Sequence, residues 1–224
     1  MSVFYLVGTL LDGRVPSQYQ HILEHTKVFV DTYTTAPALV EGILADRKIL
    51  ESNRLIDELN HCDVALVVYG DPLIATTHHT LAIEARRRGH EVKILHGVSG
   101  ISAVISESGL QIYRFGPVVT IPRFEPGFQP LSPAEKILSN RRRGQHTLAL
   151  VDPRMDFAEV LDVLRFYERR IGPLRPFLII STGKALFWMD EPKPVKAPKP
   201  FSLIFPAKLH PMEKEYVEIF AKRI

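Results

Sequence analysis

The sequence predicts an α/β protein of two domains, a parallel-sheet N-terminal domain and a mixed-sheet C-terminal domain. Three observations predict it. Apolar runs such as residues 64–68 (VALVV) have the unbroken hydrophobicity of strands buried on both faces. In the first half these runs alternate with amphipathic stretches of helical length, the pattern of crossovers between parallel strands. The second half has more strands per residue and more breakers, which favours a mixed sheet. The boundary is predicted near residues 113–117, giving domains 1–113 and 114–224.

Each element follows from local pattern. Residues 3–7 read as a strand, and 16–25 as a helix because Tyr19, Ile22 and Leu23 share a face. Residues 27–31 (KVFVD) form a short strand. Residues 36–44 and 52–60 read as helices, the second with Ser52 as N-cap. The strand 64–69 precedes a helix at 81–88, a strand at 91–95, a turn at 97–99 and a helix at 102–109. Further on, 118–121 is a strand, 124–133 a loop, and 133–143 a helix. Strands at 146–151 and 176–181 flank a helix at 157–169, and shorter strands follow at 184–189 and 202–205. Residues 191–200, with four prolines among ten, can be neither central strand nor helix. They read as an extended surface connection, dispensable for the core. A helix at 216–223 closes the chain.

Composition narrows the function classes. An apolar fraction of 46% and a charged fraction of 24% suit a globular protein of 224 residues. No apolar run approaches the roughly 20 residues that span a bilayer. The N-terminus lacks a basic leader and a small-residue cleavage site, so the expectation is a cytoplasmic protein with no membrane partner. Cys62 is the lone cysteine and reads as a packed thiol. No HExxH or CxxC pattern is present, and no metal site is expected. The net charge of +3 is clustered in Arg86-Arg87-Arg88, Arg141-Arg142-Arg143 and Arg169-Arg170. Each cluster precedes a glycine at a helix end, where cations complement the helix dipole. A basic surface for RNA or an acidic protein is the alternative reading.

The most informative stretch is residues 64–79, VALVVYGDPLIATTHH. The buried strand stops at Gly70-Asp71-Pro72 and leads into a helix. Open α/β sheets place ligands at this edge of their strands. Asp71 would stand there as a fixed negative charge toward a cationic or amine-bearing ligand. Equally, Asp before Pro often only caps a turn. Thr76, Thr77, His78 and His79 add more hydrogen-bonding side chains than a plain connection needs. Turns at Gly8-Thr9-Leu10, Gly97-Val98-Ser99-Gly100 and Asp152-Pro153 also follow predicted strands, and the first two of these open on the same edge as Gly70. Neither GxGxxG nor GxxxxGK[ST] occurs, which disfavours a dinucleotide site or an ATP P-loop.

The strings GDPLIATTHHTLAIEARRRG (70–89), HGVSGISAV (96–104) and GLQIYRFGPVVTIP (109–122) resemble the diphthine synthase family, of the tetrapyrrole-methylase class. The resemblance continues through Thr32-Tyr33-Thr34-Thr35, Arg143-Gly144-Gln145-His146-Thr147-Leu148 and Pro206-Ala207-Lys208-Leu209-His210, in order along nearly the whole chain. It implies S-adenosylmethionine as methyl donor, bound in the cleft between the two domains of a tetrapyrrole-methylase-like fold. It implies translation elongation factor 2 as protein substrate, methylated on the amino group of a 3-amino-3-carboxypropyl-histidine in diphthamide biosynthesis. It implies a homodimer and requires no nucleic acid. Family donor contacts carry over to Leu10, Asp71, Ile74, Ser99 and Gly100, and in the second domain to Val151, Gly183 and Phe201. The sequence departs from the family at Thr9, in a turn that is usually glycine-rich. It departs again at Gly100, where a bulky apolar residue is usual, and it is shorter between Ala185 and Phe201.

A sulfonium methyl is already activated, so positioning and exclusion of water are the protein's task. His78, His79 and Tyr33 are candidates for relieving the substrate amine of its proton, and the sequence does not choose among them. Two other functions stay open: tetrapyrrole methylation on the same fold, or a non-catalytic module that binds RNA or protein.

Overall fold

A computed structural model of the chain describes residues 1–34 and 37–224. The chain divides into two units, Met1–Gly100 and Ile101–Ile224. The division falls ahead of the predicted 113/114 boundary. Val104 and Ile105 of the helix at 100–107, and Leu110 just beyond it, pack into the apolar cluster of the second unit, so this stretch belongs there.

The first unit is built on a parallel sheet of five strands in the order β3-β2-β4-β1-β5. These are β1 (Val3–Gly8), β2 (Lys27–Asp31), β3 (Ile43–Ala45), β4 (Val64–Val68) and β5 (Glu91–Leu95). Alternate side chains enter two apolar layers. Phe4, Leu6, Phe29 and Leu66 join one, and Val7, Val30 and Val67 the other. Central β4 is buried along its whole length, as its unbroken hydrophobicity predicts. Helices α1 (Ser17–Leu23), α2 (Arg47–Glu51), α3 (Arg54–Glu58) and α4 (His79–Arg87) complete the unit.

Two expectations fail here. The helix predicted over 36–44 is absent from residues 37–44, and Ala36 lies outside the described residues, as does Thr35 of the Thr32–Thr35 string. Residues 43–45 instead pair with the free edge of β2, Phe29 against Ile43. Gly42 allows this: a Cβ there would stand 2.8 Å from Val28 Cγ1. Propensity loses to an edge that needs a partner. Ser52 is also not an N-cap. It follows α2, which Asp46 caps by accepting from Ile49 N, and Asn53 precedes α3.

The second unit opens with α5 (Gly100–Glu107) and carries a six-stranded mixed sheet. Its strands are β6 (Val119–Ile121), β7 (Thr147–Val151), β8 (Phe177–Ser181), β9 (Ala185–Met189), β10 (Ser202–Phe205) and β11 (Lys222–Arg223). Their order is β11-β9-β8-β10-β7-β6, parallel at the two outer pairs and antiparallel between. Helices α6 (Ser132–Arg142) and α7 (Phe157–Ile171) pack on one face, and α8 (Pro211–Phe220) on the other. Asp156 and Glu159 form a reciprocal capping box at the start of α7. The closing helix begins at Pro211 rather than 216, because Pro fits the first helical turn and Glu213 accepts from His210 N. It ends at Phe220, where the chain turns into β11 beside β9.

The Pro-rich stretch 191–200 contains neither helix nor strand, as predicted. Dispensability does not hold. Val195 and Ala197 pack on the core, and Ser181 Oγ donates to the carbonyls of Pro198 (2.6 Å) and Pro200 (3.1 Å). No helix among the described residues is long and apolar enough to cross a membrane.

Candidate functional site

β4, β1 and β5 are neighbours, so their three following turns meet at the carboxyl edge of the first sheet. The turns are laced together. Thr9 N donates to the Gly70 carbonyl (2.8 Å), and Val98 N donates to the Thr9 carbonyl (2.8 Å). Gly70 N donates to Thr9 Oγ1 (2.9 Å). The departure at Thr9 thereby has a purpose, since its buried hydroxyl joins two loops. Gly8 and Gly97 are glycines because the backbones touch. A Cβ on Gly8 would stand 2.5 Å from the Gly70 oxygen, and one on Gly97 2.5 Å from Thr9 N. Gly70 takes φ +79°, a conformation L side chains avoid.

Leu10, Asp71, Ile74 and Ser99 lie on these turns, and Gly100 opens α5 directly after the last of them. Leu10 and Ile74 are apolar yet 37% and 49% exposed. Nothing lies within 4 Å of the place where a Gly100 Cβ would stand. Asp71 closes its own turn and ties it to the loop after β5. Its Oδ1 accepts from Leu73 N (3.0 Å) and its Oδ2 from His96 Nδ1 (2.8 Å). In the second unit, strand register brings Val151, Phe201 and Gly183 to one end of adjacent β7, β10 and β8. The Phe201 ring is buried against Phe157, so its backbone is the part left to meet a ligand.

The loop from Gly70 to α4 holds a further pair that sequence reasoning did not join. His78 is 2% exposed, and its Nδ1 lies 3.0 Å from the Pro72 carbonyl. Its Nε2 lies 3.5 Å from Oδ2 of fully buried Asp31 at the end of β2. Asp31 Oδ1 also accepts from Tyr33 N (2.7 Å) and Thr34 N (3.2 Å), and Thr34 Oγ1 donates to Oδ2. Burial pulls the His78 pKa down, against an upward pull from Asp31. Tyr33, Thr77, His78 and Arg87 line a cavity of about 510 Å³ in this unit. Ala75, in the same loop, has φ +58°, a strained backbone for a residue with a side chain. The sequence signal was the dense ATTHH string, but its partner Asp31 is 47 positions earlier than His78.

The second unit has its own buried network. Glu213, fully buried, accepts from Gln111 N (3.0 Å), His210 N (2.8 Å), Arg114 and His146 Nε2 (3.3 Å). His146 Nδ1 accepts from Ala207 N (3.0 Å), which fixes its tautomer. The strings GLQIYRFGP, RGQHTL and PAKLH meet here, so their residues hold this unit together.

The chain matches the model of the Tetrapyrrole (Corrin/Porphyrin) Methylases over residues 6–183. It is 35% identical over 222 aligned residues to a diphthine synthase of Staphylothermus marinus, covering 84% of this chain and 81% of that one. A diphthine synthase of Methanocaldococcus jannaschii is 33% identical over 236, covering 88% and 90%. A crystal structure of diphthine synthase superposes with a TM-score of 0.85 at 27% identity, covering 100% of this chain and 97% of that one. The chain therefore belongs to the tetrapyrrole methylases, a class of S-adenosylmethionine-dependent methyltransferases, and within it to the diphthine synthase family.

Proposed function

We propose that this methyltransferase acts on the 3-amino-3-carboxypropyl-histidine of translation elongation factor 2, methylating its amino group. The observation that carries the reading is the junction of three glycine turns at the edge of the parallel sheet, in a chain of this family. Backbone approach there is close enough to exclude side chains, and exposed Leu10 and Ile74 flank it. Such a cradle suits a ligand with an apolar body and a few polar anchors. The open space at Gly100 fits the same ligand. Leu10, Ile74, Ser99 and Gly100 would hold S-adenosylmethionine from the first unit, with Asp71 ordering the loop. Val151, Gly183 and the Phe201 backbone are the proposed contacts of the second unit. When bound, the donor supplies an activated methyl group, and the protein orients the acceptor amine and excludes water.

His78 is a poor base in this arrangement, since Nδ1 is engaged with the Pro72 carbonyl and Nε2 is buried facing Asp31, away from any substrate. Tyr33 and His79 are exposed and keep their candidacy. We also propose that the protein works as a homodimer, which light scattering at working concentration would check.

The test presents elongation factor 2 with and without the aminocarboxypropyl group, plus a tetrapyrrole control, to the protein and labelled donor. Mass spectrometry should find methyl groups on the modified factor alone. Methylation of the tetrapyrrole, or equal methylation of the unmodified factor, overturns the assignment.

A further inference from the structure

We propose that His78 is a positioning residue for the methyl-donor loop, pinning the turn after β4 through the Pro72 carbonyl from a buried seat beside the end of β2. The inference rests on the reading of residues 70–74 as donor contacts. The loop carries Asp71 and Ile74, and its backbone passes through the strained Ala75. A turn of that kind holds one conformation only if its surroundings over-determine it. His78 supplies this constraint from inside. From just before α4 its ring reaches back six residues to the Pro72 carbonyl. That oxygen can only accept, so Nδ1 carries a proton and donates.

The other nitrogen reaches a different loop. Nε2 has no hydrogen-bond partner among the described residues and faces Asp31 Oδ2 at 3.5 Å. Asp31 in turn fixes the backbone at Tyr33 and Thr34. One imidazole thus sits between the loops after β2 and β4, on the sheet edge where the donor is proposed to lie. The exposed alternatives lack this geometry: Thr80 Oγ1 only caps Thr77, and His79 is at the helix surface. Positioning through Nδ1 also separates this residue from the chemical step, because the donating atom points at protein backbone.

The position of the donating atom gives the test its specificity. An Asn side chain at 78 places its amide nitrogen near the Nδ1 position, whereas Gln places it near Nε2. Affinity for S-adenosylhomocysteine is measured by calorimetry on folded wild type, His78→Asn, His78→Gln and His78→Ala, each with its melting temperature. His78→Asn should stay within about threefold of wild type, while His78→Gln and His78→Ala weaken binding about tenfold, the scale of one buried hydrogen bond. In turnover the donor KM should rise while kcat changes less. The nitrogen-15 shifts of the wild-type ring provide a readout that needs no variant, and Nδ1 should be protonated. Equal affinity in all four proteins, a fall in kcat with donor KM unchanged, or a deprotonated Nδ1 overturns the inference. Failure of wild type to bind S-adenosylhomocysteine overturns the donor reading, and this inference with it.

Discussion

Asp71 shows how a residue flagged for charge also does backbone work. Its Oδ1 closes the turn at Leu73 N, and its Oδ2 holds exposed His96. Asp71→Asn should keep the turn, since an amide oxygen still accepts from Leu73. Asp71→Ala should weaken donor binding by roughly 2–5 kcal/mol if the carboxylate also meets a charged ligand group in a desolvated site. Calorimetry on both variants separates the roles: equal, unchanged affinities would assign Asp71 to the turn alone. At Glu213 the balance is clearer. Burial raises its pKa, but the donations of His210 N and Gln111 N, with the charges of His146 and Arg114, hold it below the ordinary carboxylate range. Glu213→Ala would leave Arg114 and His146 without their buried partner, at a cost of about 3–5 kcal/mol. Urea denaturation that shifts by less than about 1 kcal/mol would show that the network relaxes instead.

These buried groups also set a pH dependence. Burial lowers the pKa of His146 and of His78 in the folded state. A histidine lowered in this way takes up its proton in the unfolded chain first. Its stabilising share is therefore complete above the ordinary imidazole range near 6.5 and is lost as pH falls below it. The lowered Glu213 and Asp152 extend the same loss through the carboxylate range. The melting temperature should fall steadily from about pH 7 to pH 4, and a rise over that interval would contradict the assignment.

At the scale of elements, the glycine turns carry the argument. Gly8→Ala and Gly97→Ala would drive a methyl group into neighbouring backbone, which cannot swing aside as a side chain can. Each should cost about 3 kcal/mol or more and loosen all three loops. Gly100→Ala meets open space at the start of α5 and should be neutral or stabilising by about 0.4–1 kcal/mol. Thermal melts of the three variants side by side test this, and a tolerated Gly8→Ala would sink the close-packing account. The 191–200 connection makes a related point. Its prolines exclude it from the sheet, yet Ser181 Oγ reaches two of its carbonyls. Ser181→Ala should cost about 1 kcal/mol and raise protease sensitivity in this stretch. Unchanged cleavage would mean that Val195 and Ala197 packing alone holds it.

For the whole molecule, the sequence by itself determined the two-sheet α/β plan and most of its elements. Their signals are local: the unbroken apolar run of β4, the alternation of such runs with amphipathic stretches in the first half, and the prolines that bar 191–200 from a ladder. The long family strings likewise belong to the sequence, since they need only order along the chain. What tertiary structure alone decided was pairing across distance. The 43–45 strand exists because β2 offered an edge, and α5 joined the second unit because its apolar face fits that unit's core. Thr9, Asp31 and His78 became parts of one site edge only when β1, β2 and β4 were set side by side. A strand or cap is read from neighbours within a few residues, whereas a hydrogen bond between loops 61 positions apart, or the approach of His78 to Asp31 across 47, depends on a strand order that local pattern does not encode.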